Sequence, residues 1–299
     1  AVKTLGEAYQ KLAGTGGGTI YVVNPVTVSG TITLGRSYTE SSTTYNAGGP
    51  VTIKRYSKPA AFTTGSNTGT LINVTGGTLT LAEGLTVDGH SAAVTQGKET
   101  VQAPAVTAAA PLISISGGTV SVQSGAVLKD NNNASGNGGA VRIDSGAFNL
   151  NAGTIANTAA KQGGAVYQNG TFNVKSAATV SGEVYLGTGK TVGVAGSAGT
   201  ALSLDMDDAA AARAVVTYTT APTSLNLNTE LAKYTLSDDV APLYKLARRS
   251  TDTKVFELQE KGGIYVDGTR SAASGDGTEP SKAVKTLGEA YQKLAGTGG

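Results

Sequence analysis

Asp88, Lys129-Asp130 and Asn157 are the residues whose types and placement come closest to chemistry in this chain. Alignment of four internal repeats brings them near one corner, where Asn131, Asn132 and Asn133 follow directly. A polysaccharide lyase or glycosidase needs clustered carboxylates, often with Arg, Lys or calcium, on one outer face. Asp88, Asp130 and Asn131 are therefore candidate contacts for a sugar or an ion. The same residue types also close tight turns, with their side chains bonded to neighbouring backbone. Each repeat supplies one acidic group and no matched pair of carboxylates emerges. No residue is assigned a catalytic role, and the chain is not expected to be an enzyme.

Other groups are weaker. Asp267, Asp276 and Glu279 bracket a Gly-rich loop and are candidate calcium ligands. Their spacing is not that of an EF-hand, and solvated turn carboxylates show the same pattern. No other cofactor is implied. His90 is the single His, so no multi-His metal site exists and a Ser-His-Asp triad would rest on it alone. It follows Asp88-Gly89 and is expected to be an exposed turn residue. Gly187-Thr188-Gly189-Lys190-Thr191 ends like a phosphate loop, but the first Gly of that pattern falls on Val184 and no strand-to-helix context follows. Ser91 to Ala110 is a long insertion bearing Lys98 and Glu99. Loops on a rigid scaffold often carry binding, so these two are further candidate ligand contacts, with a bland spacer as the alternative.

Composition narrows the class. With 23 basic and 21 acidic residues the formal net charge is +2, which gives no electrostatic case for nucleic acid. Gly is frequent at 42 of 299 without a collagen period, which together with abundant Thr, Ser, Asn and Val points to short strands and tight turns. Zero Cys excludes disulfides and thiolate metal sites, and fits Gram-positive surface proteins. No segment has eighteen consecutive apolar residues, so no membrane span is expected.

The elements that would position these residues are repetitive. AVKTLGEAYQKLAGTGG runs from Ala1 to Gly17 and returns unchanged from Ala283 to Gly299, an offset of 282 residues (283 − 1). The expected explanation is a window on a longer chain of near-identical tandem units, a device that gives length or valency. In each copy Thr and Glu form a capping box, at Thr4–Glu7 and Thr286–Glu289. Leu5, Ala8, Tyr9 and Leu12 make one apolar stripe, as do Leu287, Ala290, Tyr291 and Leu294. Such a helix is suited to covering the end of a stack of strands.

After Gly18 the period becomes that of strands. LINVTGGTLTLAEGLTVDGH (Leu71 to His90), LISISGGTVSVQSGAVLKDN (Leu112 to Asn131), AVRIDSGAFNLNAGTIANTA (Ala140 to Ala159) and AVYQNGTFNVKSAATVSG (Ala165 to Gly182) align. Their starts lie 41, 28 and 25 residues apart, and the shorter spacings suit one coil of a parallel β-helix. Alternation places Leu79 and Leu81, Val120 and Val122, Phe148 and Leu150, and Phe172 and Val174 on one inner face. The pattern breaks near Thr200. Tyr244 to Leu246 and Lys254 to Leu258 suggest a hairpin, and Ala209 to Ala214 a short helix or loop. The expected division is 1–17 cap helix, 18–200 parallel β-helix, 201–261 small β-rich closing module, and 262–299 the start of the next unit. That last segment opens with a strand over Gly263 to Gly268.

Ile264-Tyr265-Val266-Asp267-Gly268, the Gly/Ser/Asp loop, Lys285-Thr286-Leu287 with its helix, and Gly17 to Val22 together resemble the opening of right-handed parallel β-helix domains in large bacterial surface proteins. Gly138-Gly139-Ala140-Val141 and Gly163-Gly164-Ala165-Val166-Tyr167 are similar to the repeats of polymorphic-membrane-protein-like adhesins. The resemblance covers most of one unit. It implies an all-β, right-handed parallel β-helix (solenoid) with an N-terminal cap helix and a small C-terminal β-module. It also implies a giant, repetitive, extracellular adhesin or fibre at the bacterial cell surface or wall. Expected partners are identical units end to end, with a host or cell-surface glycan or protein as a possible ligand. Two alternatives stay open: a polysaccharide-binding or polysaccharide-degrading module, and a non-covalent filament of separate chains.

Overall fold

Short runs of β-branched and aliphatic residues, broken every few positions by Gly, favour many brief strands over helices. The computed structural model describes residues 2–57, 66–90, 108–219, 227–269, 271, 273–277 and 280–296, and it is built mostly of strands. In chain order these are α1 (Leu5–Leu12), β1 (Gly18–Val22), β2 (Val26–Val28), β3 (Thr31–Leu34), β4 (Ser37–Glu40), β5 (Thr43–Asn46) and β6 (Val51–Arg55). Then come β7 (Ile72–Val74), β8 (Thr78–Leu81), β9 (Leu85–Asp88), β10 (Ile113–Ile115), β11 (Thr119–Val122) and β12 (Val127–Asn137). Next are β13 (Val141–Ile143), β14 (Ala147–Leu150), β15 (Thr154–Gln162), β16 (Val166–Gln168), β17 (Thr171–Lys175) and β18 (Thr179–Val180). The remainder are β19 (Glu183–Leu186), β20 (Val192–Ala195), β21 (Leu202–Asp205), β22 (Ala214–Tyr218), α2 (Leu227–Leu231), β23 (Tyr234–Leu236), β24 (Tyr244–Arg248), β25 (Val255–Glu260) and α3 (Leu287–Gly296).

The strands are dealt in turn to three sheets. The first has the order β1-β6-β9-β12-β15-β18 and the second β2-β7-β10-β13-β16-β19-β21-β23. The third runs β5-β4-β3-β8-β11-β14-β17-β20-β22-β25-β24. Every pairing in the first two sheets is parallel. The third is parallel in its middle and antiparallel at both ends, where the β3-β4-β5 meander and the β22-β25-β24 group lie. At the usual strand spacing of about 4.8 Å, the eight strands of the second sheet make a stack of roughly 34 Å.

Register follows the internal repeats. Ile72, Ile113, Val141 and Val166 lie opposite one another, which aligns the preceding Leu71, Leu112, Ala140 and Ala165. Leu79, Val120, Phe148 and Phe172 form one buried column, and Leu81, Val122, Leu150 and Val174 form the next. A slip of one residue would turn these columns out to water, so the apolar alternation fixes the pairing. Phe148 and Phe172 stack with ring centroids 5.6 Å apart.

The Gly-Gly corners have a steric cause. Gly138 and Gly163 have φ of 77° and 65°, which favours glycine, and a Cβ on Gly139 would sit 2.0 Å from the Gly164 carbonyl oxygen. Gly139→Ala is expected to lower stability by about 1–3 kcal/mol, because backbone must move to admit the methyl. Urea unfolding measures it, as a lower midpoint at unchanged slope.

Both ends differ from expectation. The meander over Ser37–Asn46 was not anticipated, and it provides the surface on which α1 rests. Tyr9 packs at a tilt against Tyr38, with ring centroids 5.8 Å apart, and donates its hydroxyl to the Gly35 carbonyl at 3.0 Å. Parallel pairing does not stop at residue 200, since β21, β22 and β23 continue the second and third sheets. The antiparallel β22–β25 and β24–β25 pairings depart from that pattern, and the expected hairpin is β24–β25. Ala209 to Ala214 form a turn that enters β22, the loop of the two forms expected there, and a short helix, α2, follows later. The expected strand over Gly263 to Gly268 reduces to one parallel bridge, Val266 with Val284.

Candidate functional site

Asp88, Asp130, Asn131 and Asn157 meet in the first sheet, at the end of β9 and part-way along β12 and β15. Lys54, Asp88 and Lys129 lie in register on β6, β9 and β12, a column of alternating charge in which Asp88 is buried between the two lysines. Opposite charges on adjacent strands stabilise such a column by a few tenths to about 1 kcal/mol per pair. Asp88 Oδ2 is 3.8 Å from Lys54 Nζ, and its Oδ1 accepts the His90 backbone N–H at 2.7 Å. Asp130 sits one residue further on, so it does not share a position with Asp88. Its Oδ2 faces Lys129 Nζ at 3.0 Å, and its Oδ1 accepts from the Asn157 amide. Asp130 and Asn157 have φ of 55° and 51°, so the strands turn here through left-handed residues.

Electrostatics favour the charged form of Asp130. Burial alone would raise the Asp130 pKa, but hydrogen bonds from Asn157 and Lys129 and the charges of Lys129 and Lys54 win, and it is held below its ordinary value. Lys129 is raised in turn, chiefly by its bond to Asp130. Each carboxylate therefore has a cation and a neutral donor of its own, which is how a structural turn is built. Because the folded pKa is the lower one, Asp130 contributes stability above its unfolded pKa of about 3.9, lost as pH falls through the folded value. Asp130→Asn is expected to flatten the acid side of the stability curve below about pH 4, read by urea unfolding at a series of pH values.

The asparagines bond neighbouring backbone, as one of the two readings of the sequence expects, but within a strand and not a tight turn. They continue β12, with Asn131 and Asn133 buried. Asn131 donates from Nδ2 to the Ala110 and Gly139 carbonyls at 3.0 and 2.7 Å. Asn131, Asn132, Asn157 and Thr158 border an open recess of about 450 Å³. His90 is also less exposed than expected: it is half-buried, with φ of 54° and Nδ1 buried without a hydrogen-bond partner among the described residues. Burial and then the Lys54 charge depress its pKa.

Beneath the corner lies a residue that sequence reasoning missed. Arg55 ends β6 at an inward position and is fully buried. Its Nε donates to the Gly89 carbonyl at 3.0 Å and its Nη2 to Asn131 Oδ1 at 2.9 Å. Its Nη1 reaches the Asn67 carbonyl at 3.3 Å and the Gly69 carbonyl. One guanidinium thus ties three successive passes of the chain together through neutral acceptors. Burial lowers its pKa to about 10. The available signal was the alternation Val51, Ile53, Arg55, which points all three inward.

A second network closes the other end. Glu230 accepts from Lys233 Nζ at 2.6 Å, Ser197 Oγ at 2.7 Å and the Tyr218 hydroxyl at 3.0 Å, while the Tyr218 and Tyr234 hydroxyls are 2.7 Å apart. Burial opposes the charge on Glu230, but these donors prevail and lower its pKa. Glu183 is pushed the other way, by burial above all, with Asp205 and Asp239 adding to it against the bond from the Gly163 N–H. It is half-buried and accepts that N–H at 2.9 Å.

The calcium candidates are not drawn into a cluster by what is described. Asp267 Oδ1 accepts from the Thr269 N–H and hydroxyl at 2.9 and 2.7 Å, and Asp276 is exposed. Among the described residues no three His, Asp or Glu side chains gather closely enough to hold a metal. Glu279, Lys98 and Glu99 lie outside the described residues, as does most of the insertion. Among the described residues no helix is long and apolar enough to cross a membrane. No protein family, curated protein or solved structure matches this chain.

Proposed function

We propose that this chain is a structural unit of an extracellular bacterial surface fibre or adhesin stalk. Its three sheets are read as the three faces of a right-handed parallel β-helix, and its units as joined end to end. The observation that carries this reading is the unchanged return of residues 1–17 at 283–299, on a chain whose strands stack along one direction. Right-handedness is supported by the strong preference of parallel crossover connections. Each pass is hydrogen-bonded to the next, so the stack resists bending and stretching along its length. Parallel pairing carried through all six strands of the first sheet favours a stiff spacer.

The sugar-active alternative is less favoured by the corner itself. Asp88 and Asp130 are each held by a lysine, and the pKa of Asp130 is shifted away from what a general acid requires. The mass of the native polypeptide under denaturing conditions tests the tandem reading. A mass several times the 29.8 kDa of this sequence is expected. A mass near that value would remove the covalent array and leave assembly of separate chains.

A further inference from the structure

The outward side chains of the third sheet form a regular array. The alternation that buries Ile32, Leu79 and Val120 turns their neighbours out. Thr33, Thr80 and Ser121 thus lie opposite one another on β3, β8 and β11, and Thr31, Thr78 and Thr119 form a second file beside them. All six are partly or fully exposed, and none is charged. The first file extends to Thr39 and Thr44 on one side and to Asn149 and Asn173 on the other.

The central block differs from its flanks in hydrogen bonding. Thr39 and Thr44 pair their hydroxyls at 3.2 Å, and Asn173 donates to Asn149 at 2.8 Å. The six hydroxyls between them have no partner among the described residues. They stand about 4.8 Å apart across the strands and about 6.6 Å apart along each strand. Threonine is stiff at χ1, and paired strands fix the backbone beneath it, so these intervals are held. Threonine is favoured on any exposed strand position, and the first sheet has its own file of Thr19, Thr52 and Thr86. There the adjacent file is Tyr21, Lys54 and Asp88. On the second sheet Arg142 and Tyr167 interrupt the outer file. Among the described residues, only the third sheet sets two uncharged hydroxyl files side by side.

We propose that this block is an ice-binding face, whose ligand is crystalline water. A partner that satisfies all six hydroxyls at once is uncharged, both donates and accepts, and repeats in two perpendicular directions. The prism face of ordinary ice presents water oxygens at intervals close to both of those on the sheet. Each hydroxyl has one donor and two acceptor sites, so it can stand in for a lattice water, while the threonine methyls fill the space between. The sheet has already ordered these side chains, so little conformational freedom is lost on binding. The inference goes beyond the stalk reading and does not depend on how units are joined.

Nanolitre osmometry on the full chain tests it. The unsubstituted protein is expected to open a gap between the melting and freezing points of ice and to facet the crystals. Thr80→Lys puts a long charged side chain on the middle strand of the block and is expected to abolish the gap. Thr119→Lys repeats the test from the second file, with the same result expected. Thr86→Lys makes the same change in the threonine file of the first sheet and is expected to leave the gap intact. Urea unfolding of each variant verifies that it is folded. Absence of a gap in the unsubstituted chain, an unchanged gap in folded Thr80→Lys and Thr119→Lys, or an equal loss in Thr86→Lys overturns the proposal. Adsorption to crystalline cellulose without any effect on ice also overturns it, because the matching lattice would then be a glycan.

Discussion

Arg55→Met is expected to lower the unfolding free energy by about 3–5 kcal/mol, among the largest effects of any single substitution in this chain. The side chain is a fully buried cation with neutral partners: three backbone carbonyls and the Asn131 side-chain oxygen. Burying a guanidinium costs several kcal/mol, which is why its pKa falls to about 10. Four charge-assisted hydrogen bonds, each contributing about 1.5–3 kcal/mol, offset that cost. Methionine removes the buried charge but leaves four acceptors unpaired, at about 1–3 kcal/mol each, so the loss outweighs the relief. Arg55→Lys is expected to lose nearly as much, because a single ammonium cannot span acceptors on residues 67, 69, 89 and 131. Guanidinium unfolding provides the measure. A change below about 1 kcal/mol for both variants would mean that the clamp does not stabilise the fold.

Phe148→Ala is expected to cost about 3–5 kcal/mol for a different reason. Phe148 is fully buried in a column where every neighbour is set by strand register, with Val120 on one side and Phe172 on the other. Parallel strands on both sides hold the backbone at fixed spacing, so the cavity cannot collapse and the transfer and cavity costs add. The stacked ring of Phe172 contributes about 0.5–1.5 kcal/mol of that, as coupling in a double-mutant cycle with Phe172→Ala. Coupling near zero would show the two rings to be independent fillers of the core.

The repeated passes were legible in the sequence because a period of two is visible wherever one face is buried. Alternation alone places Leu79, Val120, Phe148 and Phe172 in one column, and the Gly-Gly corners are as plain. The capping boxes were equally readable, with the Glu7 N–H donating to Thr4 Oγ1 at 3.1 Å and Glu289 repeating the contact at 3.2 Å. The fate of the two helices was not legible. Identical residues are buried in one copy and exposed in the other, since burial depends on the surface that meets the helix and not on the helix itself.

The corner was legible in outline and not in detail. Alignment brought Asp88, Asp130 and Asn157 close, but it could not show that Thr154 pairs with Val127, which slips the third repeat by one residue. That slip places Ala156 opposite Lys129 and lets Asn157 cap Asp130. Arg55 was overlooked because charge is read as exposure, although its parity with Val51 and Ile53 pointed inward. The continuation of the parallel sheets beyond residue 200 was hidden by sequence: the Asp205–Asp208 run and the Ala-rich turn interrupt the repeat without ending the stack.

Small-angle scattering from one 282-residue unit (283 − 1) and from two such units joined in tandem tests the central reading most directly. The stalk account predicts that the maximum dimension nearly doubles while the cross-sectional radius stays the same. A second unit that widens the particle, or adds length only as a flexible chain would, contradicts it.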